Sequence, residues 1–361
     1  MRSMLVEACR SEMLAKRTIK CKVLELRKGK EQLLLREYLN FQCFLHGDKT
    51  VLLYSATRQQ AERMLKRIGS PKEGKAYPLI LRRDVYKLEK TASKLTEYWL
   101  RVPIGDVKGG IWIPIKPHTP ITDDLRLREA KIIRHKGCWF VYLIVQAEIA
   151  ERKTSSVLAV DLGVHNAATT ANSSDKTVRF YGKNIRSVRG HYYHLRRNLP
   201  NRKAVRKVGK HEQRIVTHEL HVISKAIVEE ATVKNSVIVV GKLKGIRKPR
   251  KFQSRRSKRK VASFPFYKLT QFIKYKAAWK GISVLEVSEA YTSITCSRCG
   301  CRGIRVRGLF RCPECGLDLN ADVNGARNIL ARALGKLKSE PLSSAGASLA
   351  MPELLAEAES L

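Results

Sequence analysis

The chain has 361 residues and a hydrophobic fraction of 43%, enough to bury cores in two or three domains of about 100–200 residues and too much for wholesale disorder. Its 71 Lys and Arg against 32 Asp and Glu leave a formal charge of +39, and a compact body so charged repels itself unless a polyanion neutralises it. Nucleic acid is therefore the first partner class and an anionic membrane surface the second; a small neutral substrate does not call for such a charge.

No window approaches the roughly 18–20 uninterrupted apolar residues of a membrane span, and the opening MRSMLVEACRSEMLAKR lacks a secretory apolar core and cleavage site. The expected setting is cytosolic, without a membrane. Thr18–Leu26 (TIKCKVLEL) reads as a strand and passes into a helix-like stretch around 31–45. Residues 56–100 carry many helix formers (ATRQQAERMLKRIG, YKLEKTASKLTEYWL) and predict a small helical insertion with basic faces. From Gly109 the pattern turns to period two through Ile111, Ile113 and Ile115, then REAKIIRHKGCWFVYLIVQAEIA predicts a hairpin turning at Lys136 and Gly137. Pairing with the strand near residue 20 would make a small barrel interrupted by the helical insert.

A second unit starts at Ser155. VLAVDLGVHNAATTA is a nearly continuous apolar strand with one acid, Asp161, and KTVRFYG follows as another after the turn-rich NSSD. Residues 183–235 predict basic helix, 236–241 (SVIVVG) and 281–289 (GISVLEVSE) predict buried strands, and 319–334 (LNADVNGARNILARAL) predicts helix. Together these describe a mixed sheet with helices on its faces. The tail from Ser339 has no Lys or Arg and four Glu; mobility is expected there.

Of nine cysteines, five crowd into residues 296–315. Cys296 and Cys299, then Cys312 and Cys315, form two C-x-x-C turns, each followed by Gly, with twelve residues between the pairs. Two such knuckles bring four thiolates to one tetrahedral Zn2+ and leave no open position, so the metal would be structural. Chance clustering of reduced core cysteines is the bland alternative, and Cys301 is a spare. Two acids then stand out on apolar segments, Asp161 and Asp322. A buried carboxylate is costly unless a cation meets it, and converging carboxylates hold Mg2+ for phosphodiester cleavage. Either acid alone is also readable as a helix cap or a structural acceptor.

AVDLGVHNAATT, FPFYKLTQFIKYKAAWKGISVLEV, EAYTSITCSRCG and CGLDLNADVNGARNIL closely resemble the TnpB family of transposon-encoded RNA-guided nucleases, whose relatives are the Fanzor proteins and the compact type V CRISPR effectors. The resemblance spans about residues 155–335. It implies an α/β, RNase H-like (RuvC-like) mixed sheet with an inserted zinc finger, and an N-terminal β-barrel wedge domain interrupted by a helical recognition insert. The boundaries implied are wedge 1–45 and 101–154, recognition insert 46–100, nuclease domain 155–290 and 318–338, zinc finger 291–317, and tail 339–361. The family's first and third acids fall on Asp161 and Asp322.

The family's middle motif ends its strand in Glu, where this chain has Gly241 (VIVVGKLKGIRK). Either the nuclease is dead and the protein only binds DNA, or another carboxylate has taken over. Glu289 ends the strand 281–289, expected beside 236–241 and in the same direction. Fanzor proteins and a subset of TnpB relatives show such a displaced glutamate with glycine at the old place. Glu286, three residues away, would lie on the opposite strand face. The resulting expectation is two-metal hydrolysis: Asp161, Glu289 and Asp322 as catalytic residues holding two Mg2+, beside one structural Zn2+ on Cys296, Cys299, Cys312 and Cys315.

Residues 247–260 hold nine basic groups and no acid: Arg247, Lys248, Arg250, Lys251, Arg255, Arg256, Lys258, Arg259 and Lys260. Such a run is a nucleic-acid contact, a solvated loop or a localisation signal. Residues 183–214 add further bases interleaved with His191, Tyr192, Tyr193 and His194. Dispersed Lys and Arg suit an A-form heteroduplex whose sequence is read by base pairing. The leading reading is an RNA-guided DNA endonuclease with a transposon-end guide RNA and double-stranded target DNA as partners, a monomer with its RNA, a dimer being the alternative. The runner-up is a nuclease-inactive, repressor-like RNA-guided DNA-binding protein, and a plain RNA-binding or transposition accessory factor is a third. The expected location is the nucleoid-associated cytoplasm of a prokaryote, or the nucleus if the source is eukaryotic.

Overall fold

The computed structural model describes residues 12–242, 264–306 and 308–339. The nine basic residues of 247–260 and the tail from 340 lie outside the described residues. The chain divides into two compact units, one spanning Leu14–Ala147 and one built chiefly from Glu148 onward. Among the described residues no helix is long and apolar enough to cross a membrane.

The first unit is a seven-stranded sheet in the order β2-β6-β7-β1-β5-β4-β3. Its elements are β1 (Glu12–Val23), α1 (Lys28–Leu45), α2 (Ser55–Ile68), β2 (Leu79–Leu81), β3 (Lys87–Lys90), β4 (Tyr98–Ile104), β5 (Val107–Pro117), β6 (Arg126–His135) and β7 (Cys138–Ala150). β1 pairs antiparallel with β5, Cys21 opposite Pro117, as the sequence predicts for the strand near residue 20. Ile111, Ile113 and Ile115 alternate into the core. The β6–β7 hairpin turns on Lys136 and Gly137, both at positive φ (50° and 79°), the demand of a two-residue type I′ turn. Among the described residues no pairing joins edge strands β2 and β3, so the unit is a sheet, without the closure of the expected barrel.

The helical reading of 86–100 is corrected here. KLEK and YWLRVPI form β3 and β4, with Leu88 opposite Leu100 and Glu89 opposite Trp99. β4 is covered on both edges, by β3 and β5, and buries Tyr98, Leu100 and Val102. Cross-strand pairing outweighs the weak helix preference of the charged residues between them.

The second unit carries a five-stranded mixed sheet in the order β10-β9-β8-β11-β12. β8 (Ser156–Asp161), β11 (Ser236–Lys242) and β12 (Val284–Ser288) run parallel, while β9 (Ala168–Asn172) and β10 (Val178–Tyr181) are antiparallel. α3 (Ile185–Arg197) and α4 (Arg202–Val233) form a helical hairpin, broken at Asn201, whose side chain accepts from the Ala204 N–H at 2.8 Å. One sheet face, with Leu158, Val160, Ile238 and Val240, packs on Leu220, Ile223 and Ile227 of α4 and on Leu269 and Ile273 of α5 (Phe266–Ala278). The other face, with Val157, Ala159, Val237, Val239 and Val287, packs on Ala326, Ile329 and Leu330 of α6 (Ala321–Ser339). β8 and β11 are thus apolar on both sides, which is why periodicity alone shows them as continuous runs.

Candidate active site

Strand parity decides what faces α6. Residues 157 and 159 of β8 lie on that side, so the next odd residue, Asp161, does too. On β11, Val240 stands opposite Val160, which brings Gly241 level with Asp161. Gly241 in turn stands opposite Val287 of β12, an α6-side residue, and Glu289 follows two positions on. A Cβ built on Gly241 would meet Glu289 Oε1 at 1.8 Å and its Cγ at 2.3 Å. The Glu289 carboxyl group therefore occupies the space a β11 side chain would fill. Glu286 lies on the other face, paired with Lys274 of α5 at 2.7 Å and Lys242 at 3.7 Å; the hydrogen bond from Lys274 holds its carboxyl below the usual range.

α6 completes the arrangement. Asp322 sits in its first turn, where a carboxylate is favoured by the helix dipole, and its N–H donates to Asn320 Oδ1 at 2.8 Å. One turn on, Gly325 offers bare backbone to Asp161: a Cβ there would lie 2.6 Å from Asp161 Oδ2. Asp322 Oδ2 accepts from Asn166 Nδ2 at 2.9 Å and Oδ1 from the Arg305 guanidinium at 3.0 Å.

These acids feel one another. Burial first, then the Asp322 charge, pushes the Asp161 carboxyl up to about 7, with Arg305 opposing. Burial and the Asp161 charge push Glu289 up to about 8. Glu289 Oε1 is buried without a hydrogen-bond partner, an arrangement that costs free energy unless a cation meets it. Acceptor-only oxygens converging from three elements are a hard-cation donor set, which fits Mg2+ better than a soft metal. Among the described residues only the four cysteines gather three or more ligand atoms within 4.8 Å of one another; the three carboxylates are spread more widely.

The finger between Glu289 and Asp322 is a small antiparallel sheet of β13 (Ile304–Val306), β14 (Leu309–Arg311) and β15 (Asp318–Asn320). Its core is Phe310, Leu317 and Ala321 with Cys296 and Cys312. Sγ of Cys296 lies 3.6 Å from that of Cys315, and Sγ of Cys299 lies 3.5 Å from that of Cys312. Four thiols at this spacing can bind one zinc ion. Cys301 is exposed, turned to the Cys299 carbonyl and outside the set.

The sequence reading missed the residues that hold the site together. Asn324 and Asn328 of α6 are buried and both donate to the Thr295 carbonyl at 2.7 Å. Asn328 also reaches the Thr292 carbonyl at 2.8 Å, and Asn324 Oδ1 accepts from the Ser297 N–H at 2.9 Å. Arg332 donates to the carbonyls of Ser288 and Ala290 at 2.6 and 2.5 Å, on either side of Glu289. Asn324 and Asn328 stand four residues apart on α6 and so on one side of it, but that spacing does not name the distant carbonyls they meet. Tyr291 takes positive φ (64°) in the same loop and leaves its ring exposed.

Residues 266–329 match the family model described as Cas12f1-like, TNB domain. The chain is 34% identical over 123 residues to TnpB-like protein MJ0751 of Methanocaldococcus jannaschii, covering 34% of this chain and 44% of that one. It is 29% identical over 222 residues to the CRISPR-associated endodeoxyribonuclease Cas12f2 of a Micrarchaeota archaeon, covering 54% and 40%. It is 28% identical over 220 residues to the putative RNA-guided DNA endonuclease InsQ of Escherichia coli, covering 54% of each. The chain spans about half the length of the curated relatives it matches. A resemblance read first in AVDLGVHNAATT and NADVNGARNIL is thereby established as similarity to the TnpB proteins and to their Cas12f relatives.

Proposed function

We propose that the protein is a transposon-associated, RNA-guided DNA endonuclease that cuts phosphodiester bonds at Asp161, Glu289 and Asp322. One observation carries the reading: the Glu289 carboxyl fills the space left by Gly241, on the sheet face shared with Asp161 and Asp322. A chain that had merely lost its middle acid has no reason to bury a replacement there without a hydrogen-bond partner. The names of the relatives, an endodeoxyribonuclease and an RNA-guided DNA endonuclease, point the same way. Guide RNA and double-stranded target DNA are accordingly the proposed partners, in keeping with the charge of +39.

The three carboxylates would hold two Mg2+, which when bound supply an activated water and stabilise the leaving oxygen. Asn166 keeps Asp322 oriented, and Arg332 pins the turn from which Glu289 projects. Cys296, Cys299, Cys312 and Cys315 would hold one structural Zn2+. For the first unit we propose the wedge role for the sheet and the recognition role for α1 and α2. Plasmid cleavage in Mg2+ by protein co-expressed with its flanking RNA, run beside Asp161→Ala and Glu289→Ala, tests the reading. Cutting by the wild type that both substitutions abolish supports it; guide-dependent target binding without cutting replaces it with the repressor-like reading.

A further inference from the structure

The finger leaves one face of its sheet uncovered. Ile304 and Val306 alternate to the same side of β13, and Leu309 of β14 stands opposite Val306, so the three share a face. Phe310 points the other way, into the finger's core. Ile304, Val306 and Leu309 are 58–59% exposed. Single exposed apolar residues are ordinary, but three that adjoin on one sheet mark a contact surface. The surroundings are basic: residues 291–317 hold five Arg against one acid, Glu314. Arg305 is engaged by Asp322, whereas Arg311 lies opposite Ile304 on the uncovered face and is 75% exposed beside its partner Asp318. Aliphatic side chains give a base no ring to stack on, so this face suits the apolar side of a helix with acidic flanks better than a nucleic-acid strand.

The occupant that fits lies in the same chain. Residues 340–361, outside the described residues, carry four Glu and no Lys or Arg. Within them MPELLAEAESL (351–361) sets Met351, Leu354, Leu355, Ala358 and Leu361 at helical spacing, with Glu353 and Glu357 along one flank and Glu359 along the other. A helix of eleven residues is marginal alone in water, so such a stripe needs a surface. Reach allows this one. α6 starts at the finger, where the Ala321 N–H donates to the Gly308 carbonyl at 2.8 Å, and its 19 residues carry the chain about 29 Å away. The eleven residues 340–350 extend to about 36 Å, enough to return. Phe180 and Val233 are also exposed, but they share a cavity with Glu229 and Glu230, whose charge opposes an acidic segment.

We propose that residues 351–361 fold back along α6 as a short amphipathic helix and cover the Ile304–Val306–Leu309 face in the chain free of nucleic acid, their glutamates beside the finger's arginines. The segment is then an intramolecular cap, shielding the finger's apolar face from solvent and from other chains. The cap does not depend on the nuclease reading and is testable without cleavage.

The full chain, purified with zinc and without nucleic acid, is followed by hydrogen exchange read by mass spectrometry. Amides of 353–361 and of 304–311 are expected to exchange about fivefold slower than in Leu354→Ser with Leu355→Ser, a variant of unchanged charge that alters no residue of the described fold. Ile304→Ser with Leu309→Ser should release 353–361 to the same degree. Raising salt from about 50 to about 500 mM should lower the protection as the ion pairs are screened. Should the finger variant not fold, the variant at Leu354 and Leu355 carries the test alone. Amides of 353–361 that exchange equally fast in the wild type and in that variant overturn the proposal. So does protection that the variant loses at 178–181 and 222–233 instead of at 304–311. A light-scattering mass of two chains that falls to one in the variant overturns the intramolecular cap and assigns the face to a second copy.

Discussion

At residue 241 the absence of a side chain is what admits the third acid. Gly241→Ala puts a methyl group 1.8 Å from Glu289 Oε1. Because that oxygen ends a flexible side chain, the carboxyl group can swing away, so thermal stability should move by only about 3 °C. Cleavage, by contrast, should drop by about 10–100-fold or more, since metal sites are sensitive to ligand position; a plasmid-nicking time course beside a melting curve separates the two effects. The raised carboxyls give a second outcome with a definite sign. Asp161 at about 7 and Glu289 at about 8 stand above the value of about 4 in the unfolded chain. Their contribution to stability is therefore full below pH 4 and is lost as pH rises through 7 to 8. Metal-free protein should melt lower at pH 8.5 than at pH 6. Mg2+ should raise the melting temperature more at pH 8.5, and its binding should release protons, read as a buffer-dependent heat in calorimetry.

Among the elements, α6 does more than cover a sheet face. Its asparagines tie the loop 291–297 to the helix that carries Asp322. Asn324→Ala would leave the half-buried Ser297 N–H and part of the Thr295 carbonyl's hydrogen bonding unmet, a loss of about 1–3 kcal/mol, seen as a fall of about 2–10 °C in Tm. The finger has a core of a few residues, too small to fold unaided, so a zinc-selective chelator or Cys312→Ser should abolish cleavage even with Mg2+ in excess, with zinc release measured by a chromogenic dye. The apolar runs 157–160 and 237–240 and the two C-x-x-C turns were legible in the sequence because burial on both faces and fixed spacing leave a local signature. The asparagine ladder was not read, because a hydrogen bond from Asn328 to a carbonyl 36 residues away leaves no local mark. The β3–β4 hairpin was hidden for a related reason: KLEK is strand only because YWLRVPI lies beside it. Glu289 fell between these cases, since its parity was readable but its reach over Gly241 needed the register of β11 against β12.

Over the whole molecule, the charge of +39 is an instability that a polyanion relieves. RNA-free protein should therefore melt higher at 300 mM than at 50 mM salt, while the melting temperature of the RNA complex should fall over the same range as counterion release weakens binding. Scanning fluorimetry of both samples decides it. The placement of Glu289 reaches further still. Glu289 and Asp322 stand at the two stems of the finger, held together by Arg332 and the asparagines. The segment between them leaves and returns at one spot, as a detachable module does. Were the third acid on β11, exchanging this module would border only one proposed metal ligand, Asp322. With Glu289 each stem ends in one, so a graft of another finger, or its deletion with a short bridge, should set the span between two of the three acids and thereby tune or destroy the proposed catalytic centre from outside the sheet.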